Sequence, residues 1–316
     1  MSREENITSE YPTVQMATVG PLLLTLRHSV KTDVGLLRDH NEDDYVALPE
    51  HGVYLVADGM GGHNAGAVAS QICVDTVASY LDNPPEGRQE SEEDLLGPDP
   101  TLAEALRAAN RAIYDAAIGN KAFEGMGTTA VGVRLVDNAL TVTHAGDSRA
   151  YLFRNGDLRL LTEDHSLSNY LRLMGREGEA RFAEATMGNV IMRALGLEPT
   201  VEVDASLVTV EPRDRLLLCS DGLSDLVTED EIIAVLMNPE FSRQDAVDQL
   251  IELALDEGGR DNITVMLVDV YESGTEPDET DDVPEESDPH AVDERAQTQD
   301  LSSAVETLRV DTPEDS

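Results

Sequence analysis

The amino-acid sequence predicts an α+β fold, in which a central β-sandwich of two antiparallel sheets is flanked by pairs of helices in four α-β-β-α layers. Two observations favour it: the order of the elements, and apolar runs that end in Asp-Gly. Strand-like runs are followed by two helical segments, more strands, two more helices and a last strand. Because sheets and amphipathic helices bury their apolar faces in layers, this order fits two packed sheets with helices outside.

The strands and the first helix have clear patterns. GVYLVA, RLLLCS and ITVMLVDVY are apolar runs, typical of buried strands when turn residues bound them. After GGHNAG, the residues Cys73, Val77 and Leu81 recur on one helical face. Both cysteines of the chain lie in apolar runs, so we expect reduced core thiols rather than a disulfide.

Helix starts and turns have their own signals. Thr101 with Glu104, and Thr228 with Glu231, have the spacing of helix capping boxes. The Asn-Gly step at Asn155 predicts a tight hairpin between two strands.

Composition divides the chain into three parts. Residues 1–19 are polar and unpatterned, so a mobile leader is expected, and residues 20–271 carry the folded domain. Residues 272–316 hold 16 acidic residues against two arginines and no aromatic residue, which predicts a disordered acidic tail. That tail is either solvating, a cation buffer or a docking arm for a basic partner. Within the domain, residues 166–200 are expected to form an irregular flap.

The formal charge of −41 excludes nucleic acid as an expected partner, because phosphate-backbone binding needs a cationic surface. No apolar run is long enough for a membrane-spanning helix. We therefore expect a cytoplasmic protein, without membrane contact and monomeric. Only two lysines occur, and an acidic, lysine-poor surface suggests adaptation to a salt-rich cytoplasm, which equal stability in low and high KCl would contradict.

Four acids lie at the seams of strand-like runs. Asp58 and Asp221 each close an apolar run as Asp-Gly, Asp147 follows TVTHA, and Asp261 precedes ITVMLV. A carboxylate at the end of a core strand is costly unless something pairs with it. Each acid alone is more often a solvated turn residue, but the set together predicts a site for hard cations.

A fifth acidic cluster contains a basic residue. In TDVGLLRDHNEDDY, Arg38 comes just before Glu42, Asp43 and Asp44. An isolated arginine of this kind is usually a surface ion pair. Among so many candidate metal ligands, it favours a site that holds an anion together with cations, because a guanidinium can grip a tetrahedral oxyanion with two hydrogen bonds.

Seven motifs, taken together, resemble those of the metal-dependent Ser/Thr protein phosphatases, the PPM or type 2C family, in their bacterial form. They follow one another in order between about Thr32 and Val270: TDVGLLRDHNED, VADGMGGH, GMGTTAV, HAGDSRAYL, EDHS, CSDGLSD and GGRDNITV. The family's fold is a β-sandwich flanked by helix pairs, in agreement with the element order.

The resemblance implies two Mn²⁺ or Mg²⁺ ions and assigns their ligands. Asp58 would bridge both ions, and the carbonyl of Gly59 would bind one of them. Asp221 and Asp261 would complete the shell of the second ion, while Asp43 would act largely through bound water. Oxygen donors of this kind suit Mg²⁺ and Mn²⁺.

Other roles follow from the same resemblance. Glu42 and Asn262 would lie directly behind the ligands, and Asp147 would contact a third, weaker ion whose occupancy the sequence leaves open. Arg38 would bind the substrate phosphate. Where many family members have a general-acid histidine this chain has Met60, and His63 follows three residues later. His63 is either a replacement acid or a residue that caps the next helix.

The activity implied is hydrolysis of phosphoserine and phosphothreonine in proteins, by a water or hydroxide that bridges two metal ions. The protein substrates would be targets of a bacterial Ser/Thr kinase in signal transduction. Two alternatives are weaker. The first is a catalytically dead binding module, but such a protein usually lacks one or more metal ligands, and all of them are present here. The second is a regulator-type phosphatase, which normally carries sensor domains, and the sequence shows none. His165 in EDHS and His144 in its strand are interpreted as structural.

Overall fold

The computed structural model describes residues 23–61, 64–85, 97–136, 138–187 and 190–274. The described residues contain eleven strands. In chain order they are β1 (Leu24–Asp33), β2 (Asp43–Leu48), β3 (Val53–Met60), β4 (Gly127–Thr128), β5 (Ala130–Val136), β6 (Ala139–Ala145), β7 (Arg149–Arg154), β8 (Asp157–Leu160), β9 (Asp204–Thr209), β10 (Arg215–Cys219) and β11 (Ile263–Glu272).

The strands form two antiparallel sheets. One has the order β1-β11-β10-β7-β8, and the other has the order β2-β3-β5-β6-β9 with β4 paired to β3. Neighbours in the first sheet include the first and last strands of the described chain, β1 and β11, paired over their full length. This sheet is therefore complete only when the two ends of the domain come together.

Seven helices lie among the described residues. They are α1 (Ala65–Asp82), α2 (Thr101–Gly119), α3 (Leu167–Leu173), α4 (Glu177–Met187), α5 (Asp221–Ser224), α6 (Glu229–Leu236) and α7 (Arg243–Asp256). Helices α1 and α2 pack on the sheet that contains β3, whereas α5, α6 and α7 pack on the sheet that contains β10 and β11. The predicted four-layer α-β-β-α sandwich is confirmed.

Alternation of side chains along the central strands produces the layers. In β3, Val53 and Leu55 pack against α1 and α2, whereas Tyr54 and Val56 lie between the two sheets. Successive side chains of a strand point to opposite faces, so a strand with both faces covered is apolar throughout. This is why GVYLVA is an unbroken apolar run rather than an alternating one.

Two of the three local signals hold. Thr228 and Glu231 form a capping box at the start of α6, as predicted, and a tight turn at Asn155 joins β7 to β8. Asn155 has a φ of 54°, a left-handed conformation that asparagine tolerates better than most residues. The capping box predicted at Thr101 is wrong: Thr101 is already helical, and the side chain of Asp99 accepts its N–H at 2.8 Å.

The predicted flap forms two short helices, α3 and α4, joined at Gly175, whose φ of 72° permits the turn. Its two ends are tied together, because the N–H of Leu167 donates to the carbonyl of Val190 at 2.9 Å. The flap therefore leaves and re-enters the domain at one place. Residues 188 and 189 lie outside the described residues.

The last strand, β11, ends at Glu272, one residue beyond the predicted end of the domain, and the domain boundaries stay a prediction. The predicted leader, residues 1–19, and almost all of the predicted acidic tail lie outside the described residues. Both cysteines are buried free thiols, as expected. In the described part of the chain, no helix has the length and apolar character needed to cross a membrane.

The space between the sheets should dominate the stability of the domain. Leu218 in β10 is fully buried there, whereas Leu207 in β9 is 50% exposed. We expect Leu218→Ala to lower the free energy of unfolding by about 2–5 kcal/mol, because it leaves a cavity. Leu207→Ala should cost less than about 0.5 kcal/mol. Urea denaturation measures both, and equal losses would contradict this view of the core.

Candidate active site

Five aspartates from five separate segments converge at one end of the sandwich. Asp43 opens β2 directly opposite Asp58 in β3, and Asp221 opens α5 just after β10. Asp147 lies in the turn between β6 and β7, and Asp261 lies just before β11. Their charges act on one another: those of Asp43, Asp221, Asp147 and Asp261 all raise the pKa of Asp58. The aspartates predicted from the sequence therefore share one site.

Asp43 is buried and held by one oxygen only. Its Oδ2 accepts hydrogen bonds from the hydroxyls of Ser220 at 2.8 Å and Thr264 at 2.7 Å. Its Oδ1 is buried without a partner among the described residues. Burial raises the pKa of Asp43 to about 6, even though the two hydroxyls favour the ionised form. One oxygen thus orients the carboxylate and leaves the other free to bind a ligand.

Asp58 sits in a rigid stretch of backbone. Its carbonyl accepts hydrogen bonds from the hydroxyl of Thr128 at 2.9 Å and from the N–H of Thr129 at 2.8 Å. Burial, followed by the charges of its neighbours, raises the pKa of Asp58 well above its ordinary value. Two threonines of the GMGTTAV motif therefore fix the backbone of Asp58. From the sequence alone, this motif was known only to follow VADGMGGH in the chain.

Asp147 and Asp221 leave more oxygens without a partner. Both carboxylate oxygens of Asp147 and Oδ1 of Asp221 are buried and unpaired within the described structure. Burial raises the pKa of Asp147 to about 6, with a further contribution from the charge of Asp164. Burial, then the charges of Asp147 and Asp225, raises the pKa of Asp221 well above its ordinary value.

Asp225 was not singled out from the sequence as a site residue, although it ends the CSDGLSD motif. It lies four residues after Asp221, which places both carboxylates on one helical face. Its charge raises the pKa of both Asp147 and Asp221. The i, i+4 spacing was the signal available in the sequence.

Two glycines let the backbone close tightly around Glu42. A Cβ atom on Gly59 would lie 2.2 Å from the carbonyl oxygen of Gly66 and 2.5 Å from that of Glu42. Only glycine fits this approach. The side chain of Glu42 is buried with Oε1 unpaired, and burial raises its pKa although Arg38 opposes the shift. Glu42 is therefore buried beside the aspartates, and its role behind the metal ligands stays a prediction, as does a metal-binding role for the carbonyl of Gly59.

Asn262 ties together the segments that carry the other groups. Its Oδ1 accepts the N–H of Glu42 at 2.8 Å, and its Nδ2 donates to the carbonyls of Val34 and His40, both at 2.9 Å. All three bonds reach more than 200 residues back along the chain. A single buried amide thus positions the loop that contains Arg38.

Arg38 lies at the rim of the site, about half exposed. Its Nη2 donates to Oδ2 of Asp261 at 2.6 Å, and Oδ1 of Asp261 accepts the N–H of Asn262 at 2.8 Å. The candidate phosphate-binding residue is therefore paired with a candidate metal ligand. Its position beside the acids agrees with the prediction, and its role in phosphate binding stays a prediction.

His63 lies outside the described residues, so neither of its two predicted roles is tested. Helix α1 begins at Ala65, with Asn64 before it. Met60, which occupies the position of the family histidine, pairs with Gly127 at the end of β3 and is partly exposed.

A second cluster, formed by His144, His165 and Asp204, has donor atoms close enough for a metal ion. A cation already lies among them, because Nη1 of Arg193 is 2.9 Å from Nε2 of His165 and 2.7 Å from Oδ1 of Asp204. In addition, Nδ1 of His165 accepts the N–H of Gly146 at 3.0 Å. The neutral ring then carries its proton on Nε2, which can donate it to Oδ2 of Asp204 at 3.2 Å, so this nitrogen is not available to a metal. The contacts agree with a structural role for both histidines.

Comparison with known proteins agrees with the motifs. The family model described as protein phosphatase 2C matches residues 38–258. Serine/threonine protein phosphatase PstP of Mycobacterium tuberculosis is 40% identical over 251 residues, which are 79% of this chain and 46% of PstP. The chain thus spans about half the length of this relative. Serine/threonine phosphatase stp of Listeria monocytogenes is 36% identical over 76% of this chain and 94% of its own length.

Solved structures show the same fold. The crystal structure of Mycobacterium tuberculosis PstP has a TM-score of 0.67 and 39% identity, covering 77% of this chain and 98% of that chain. A structure of the catalytic domain of PstP in complex with two manganese ions has a TM-score of 0.66 and 39% identity, covering 78% and 99%. The chain therefore belongs to the protein phosphatase 2C family of metal-dependent Ser/Thr phosphatases.

Proposed function

We propose that this chain is a protein-serine/threonine phosphatase that hydrolyses phosphoserine and phosphothreonine with the help of two Mn²⁺ or Mg²⁺ ions. One observation carries the proposal: buried aspartates converge with oxygens that no described protein group satisfies. Buried charge without a partner is costly, and a divalent cation bound by these oxygens would remove that cost. Family membership and the manganese complex of PstP support the same conclusion.

The donor set fits these ions. Carboxylate and carbonyl oxygens, without sulfur or imidazole, are the ligands that Mg²⁺ and Mn²⁺ prefer. Asp58 would hold both ions, with the carbonyl of Gly59 at one of them and Asp221 and Asp261 at the other. When bound, the ions would supply a bridging water of lowered pKa and neutralise charge on the phosphoryl oxygens.

The unpaired oxygens of Asp147 suit a third, weaker ion. Asp221 and Asp225 are candidates to share it, because the charge of Asp147 acts on Asp221 and the charge of Asp225 acts on both. Asp43 would contribute through its free Oδ1, while Ser220 and Thr264 keep its other oxygen in place. The orienting hydroxyls are part of this chain's own contribution to metal binding.

Arg38 would bind the phosphate of the substrate. Its guanidinium is exposed enough to reach a ligand, and its present partner is an acid that a metal ion would also neutralise. A planar guanidinium donates two parallel hydrogen bonds to an oxyanion, which also orients the phosphorus for in-line attack. Asn262 keeps the arginine near the acids by fixing the loop on both sides of it.

A cysteine nucleophile does not fit this structure. Cys73 and Cys219 are fully buried, and burial raises the pKa of both thiols. Because the thiolate is the reactive form, neither residue can attack a phosphoprotein. The reaction proposed here therefore does not pass through a cysteinyl-phosphate.

The partners follow from this activity. We infer that the substrates are phosphoproteins made by a bacterial Ser/Thr kinase, encountered in the cytoplasm during signal transduction, and that the phosphatase acts as a monomer. The formal charge of −41 disfavours nucleic acid as a partner.

Asp58→Asn should abolish metal-dependent activity, because it removes the carboxylate shared by both ions. We expect kcat/KM for p-nitrophenyl phosphate with Mn²⁺ to fall by at least about 100-fold. Asp75→Asn, a change on the exposed face of α1, is the matched control and should retain the parent rate. Full activity in the Asp58 variant would refute the two-ion assignment.

Arg38→Ala should weaken binding of the phosphate more than it disturbs the fold. We expect KM for a phosphothreonine peptide to rise by about 10-fold or more, because a charge-assisted pair of hydrogen bonds is lost. Arg111→Ala, on the exposed face of α2, serves as the control. An unchanged KM, measured at saturating Mn²⁺, would argue against phosphate binding by Arg38.

Asp147→Asn should stabilise the metal-free protein in a pH-dependent way. The pKa of Asp147 is raised to about 6 in the folded state, so stability is lost as pH rises from about 4 through 6 and the buried group ionises. Asparagine does not ionise, and the gain above pH 6.5 should be on the order of 2 kcal/mol.

Urea denaturation in EDTA at pH 4 and pH 7.5 tests this expectation, with Asp75→Asn as the control. The gain should be small at pH 4, because Asp147 is still protonated in the folded state and the unfolded aspartate has only begun to ionise. Saturating Mn²⁺ should reduce or reverse the gain at pH 7.5. An equal gain at both pH values would show that the carboxylate is not the source of the instability.

A further inference from the structure

Two exposed leucines precede Arg38 in the chain. Leu36 is 64% exposed and Leu37 is 70% exposed, so most of both side chains faces water. Single exposed leucines are ordinary on protein surfaces. Two in succession beside the arginine at the rim of an acidic site form a small apolar surface next to the place where a phosphate would bind.

The backbone beneath these leucines is fixed to the metal-ligand segment. The N–H of Leu36 donates to the carbonyl of Gly259 at 2.7 Å. Gly35 has a φ of 75°, and a Cβ atom there would lie 2.2 Å from the carbonyl oxygen of Asp261. The loop therefore packs directly against the backbone that carries Asp261, with no room for a side chain between them.

Asn262 closes the loop on both sides of the leucines. Its amide donates to the carbonyl of Val34 before them and to the carbonyl of His40 after them. A leucine left in water forfeits the free energy that burial of its side chain would supply. These bonds hold the exposed conformation before any substrate arrives, which lowers the entropic cost of binding one.

The two leucines lie close enough to Arg38 for a peptide to reach both. Adjacent Cα atoms lie about 3.8 Å apart, so Leu36 and Leu37 lie within about 8 Å of Arg38 along the backbone, a distance that one or two residues of a substrate also span. With the phosphate at Arg38, a side chain one or two positions away in the substrate can contact Leu36 or Leu37.

The chemistry of the leucines favours an apolar side chain as the occupant. The protein carries 63 acidic and 22 basic residues, so acidic residues beside the phosphate would be repelled. Basic residues would be attracted by the protein as a whole, whereas a large apolar residue gains specifically by covering the two leucines, which offer neither charge nor a hydrogen-bonding group. Apolar contact thus supplements a phosphate contact that all substrates share.

We propose that Leu36 and Leu37 form an apolar subsite, which binds a bulky apolar side chain one or two residues from the phosphoserine or phosphothreonine of a protein substrate. The proposal rests on the proposed phosphatase function and specifies its substrate class.

Paired phosphopeptides test the subsite with the full chain and Mn²⁺. Each pair is identical except for Leu or Gln at one of the two positions on either side of the phosphothreonine. At one position at least, the parent should hydrolyse the Leu peptide with a kcat/KM about 10-fold higher, mainly through a lower KM.

The double variant Leu36→Ser, Leu37→Ser should bring that ratio close to one. Leu207→Ser, an equally simple change on the 50% exposed edge strand β9, should keep the parent ratio. The rate with p-nitrophenyl phosphate, which has no flanking residue, measures whether the metal centre of each variant is intact.

Three results would overturn the subsite and leave the phosphatase function standing. They are a parent ratio near one at all four positions, a double variant that keeps the parent ratio, and a double variant that loses all three substrates in equal proportion. The last would show a structural role. A parent without Mn²⁺-dependent hydrolysis of any substrate would instead overturn the proposed function, and the subsite with it.

Discussion

Mutual repulsion among buried carboxylates is the constraint that the rest of the site must accommodate. Asp43, Asp58, Asp147 and Asp221 come from different segments, yet their charges meet in one poorly hydrated space. Burial raises the pKa of each, and several of their oxygens have no partner among the described groups. Such a cluster lowers the free energy of unfolding of the metal-free protein. Divalent cations that bind the folded state raise it again.

Polar groups around the cluster keep it from relaxing. The hydroxyls of Ser220 and Thr264 hold one oxygen of Asp43, and the absence of side chains at Gly59 and Gly66 allows backbone to pack where water would otherwise enter. Such support matters because metal centres need ligands positioned before binding. The β-sandwich supplies this support, since its apolar layers lock the strands from which the acids project.

At the rim, one loop would serve two purposes. Asn262 and the carbonyl of Gly259 fix its backbone, and Arg38 and the two leucines before it face outward. Phosphate recognition and recognition of the flanking residue would then be carried by consecutive positions of one rigid segment. The same geometry explains why Arg38 pairs with Asp261: the loop and the metal-ligand segment share their hydrogen bonds.

The order of elements, the buried character of GVYLVA and the capping box at Thr228 could be predicted from the sequence, because they depend on periodicity and short spacings. Two of the candidate ligands, Asp58 and Asp221, could also be predicted, since Asp-Gly after an apolar run is a local pattern. The role of Asp99, which takes the place of Thr101 at the start of α2, could not be predicted, because the choice between neighbouring caps depends on how the chain enters the helix.

The tertiary structure alone decided that Ser220 meets Asp43, 177 residues away, and that Asn262 holds the loop of Arg38. Such contacts exist only when β1 pairs with β11 and the ends of the domain come together, which no local pattern encodes.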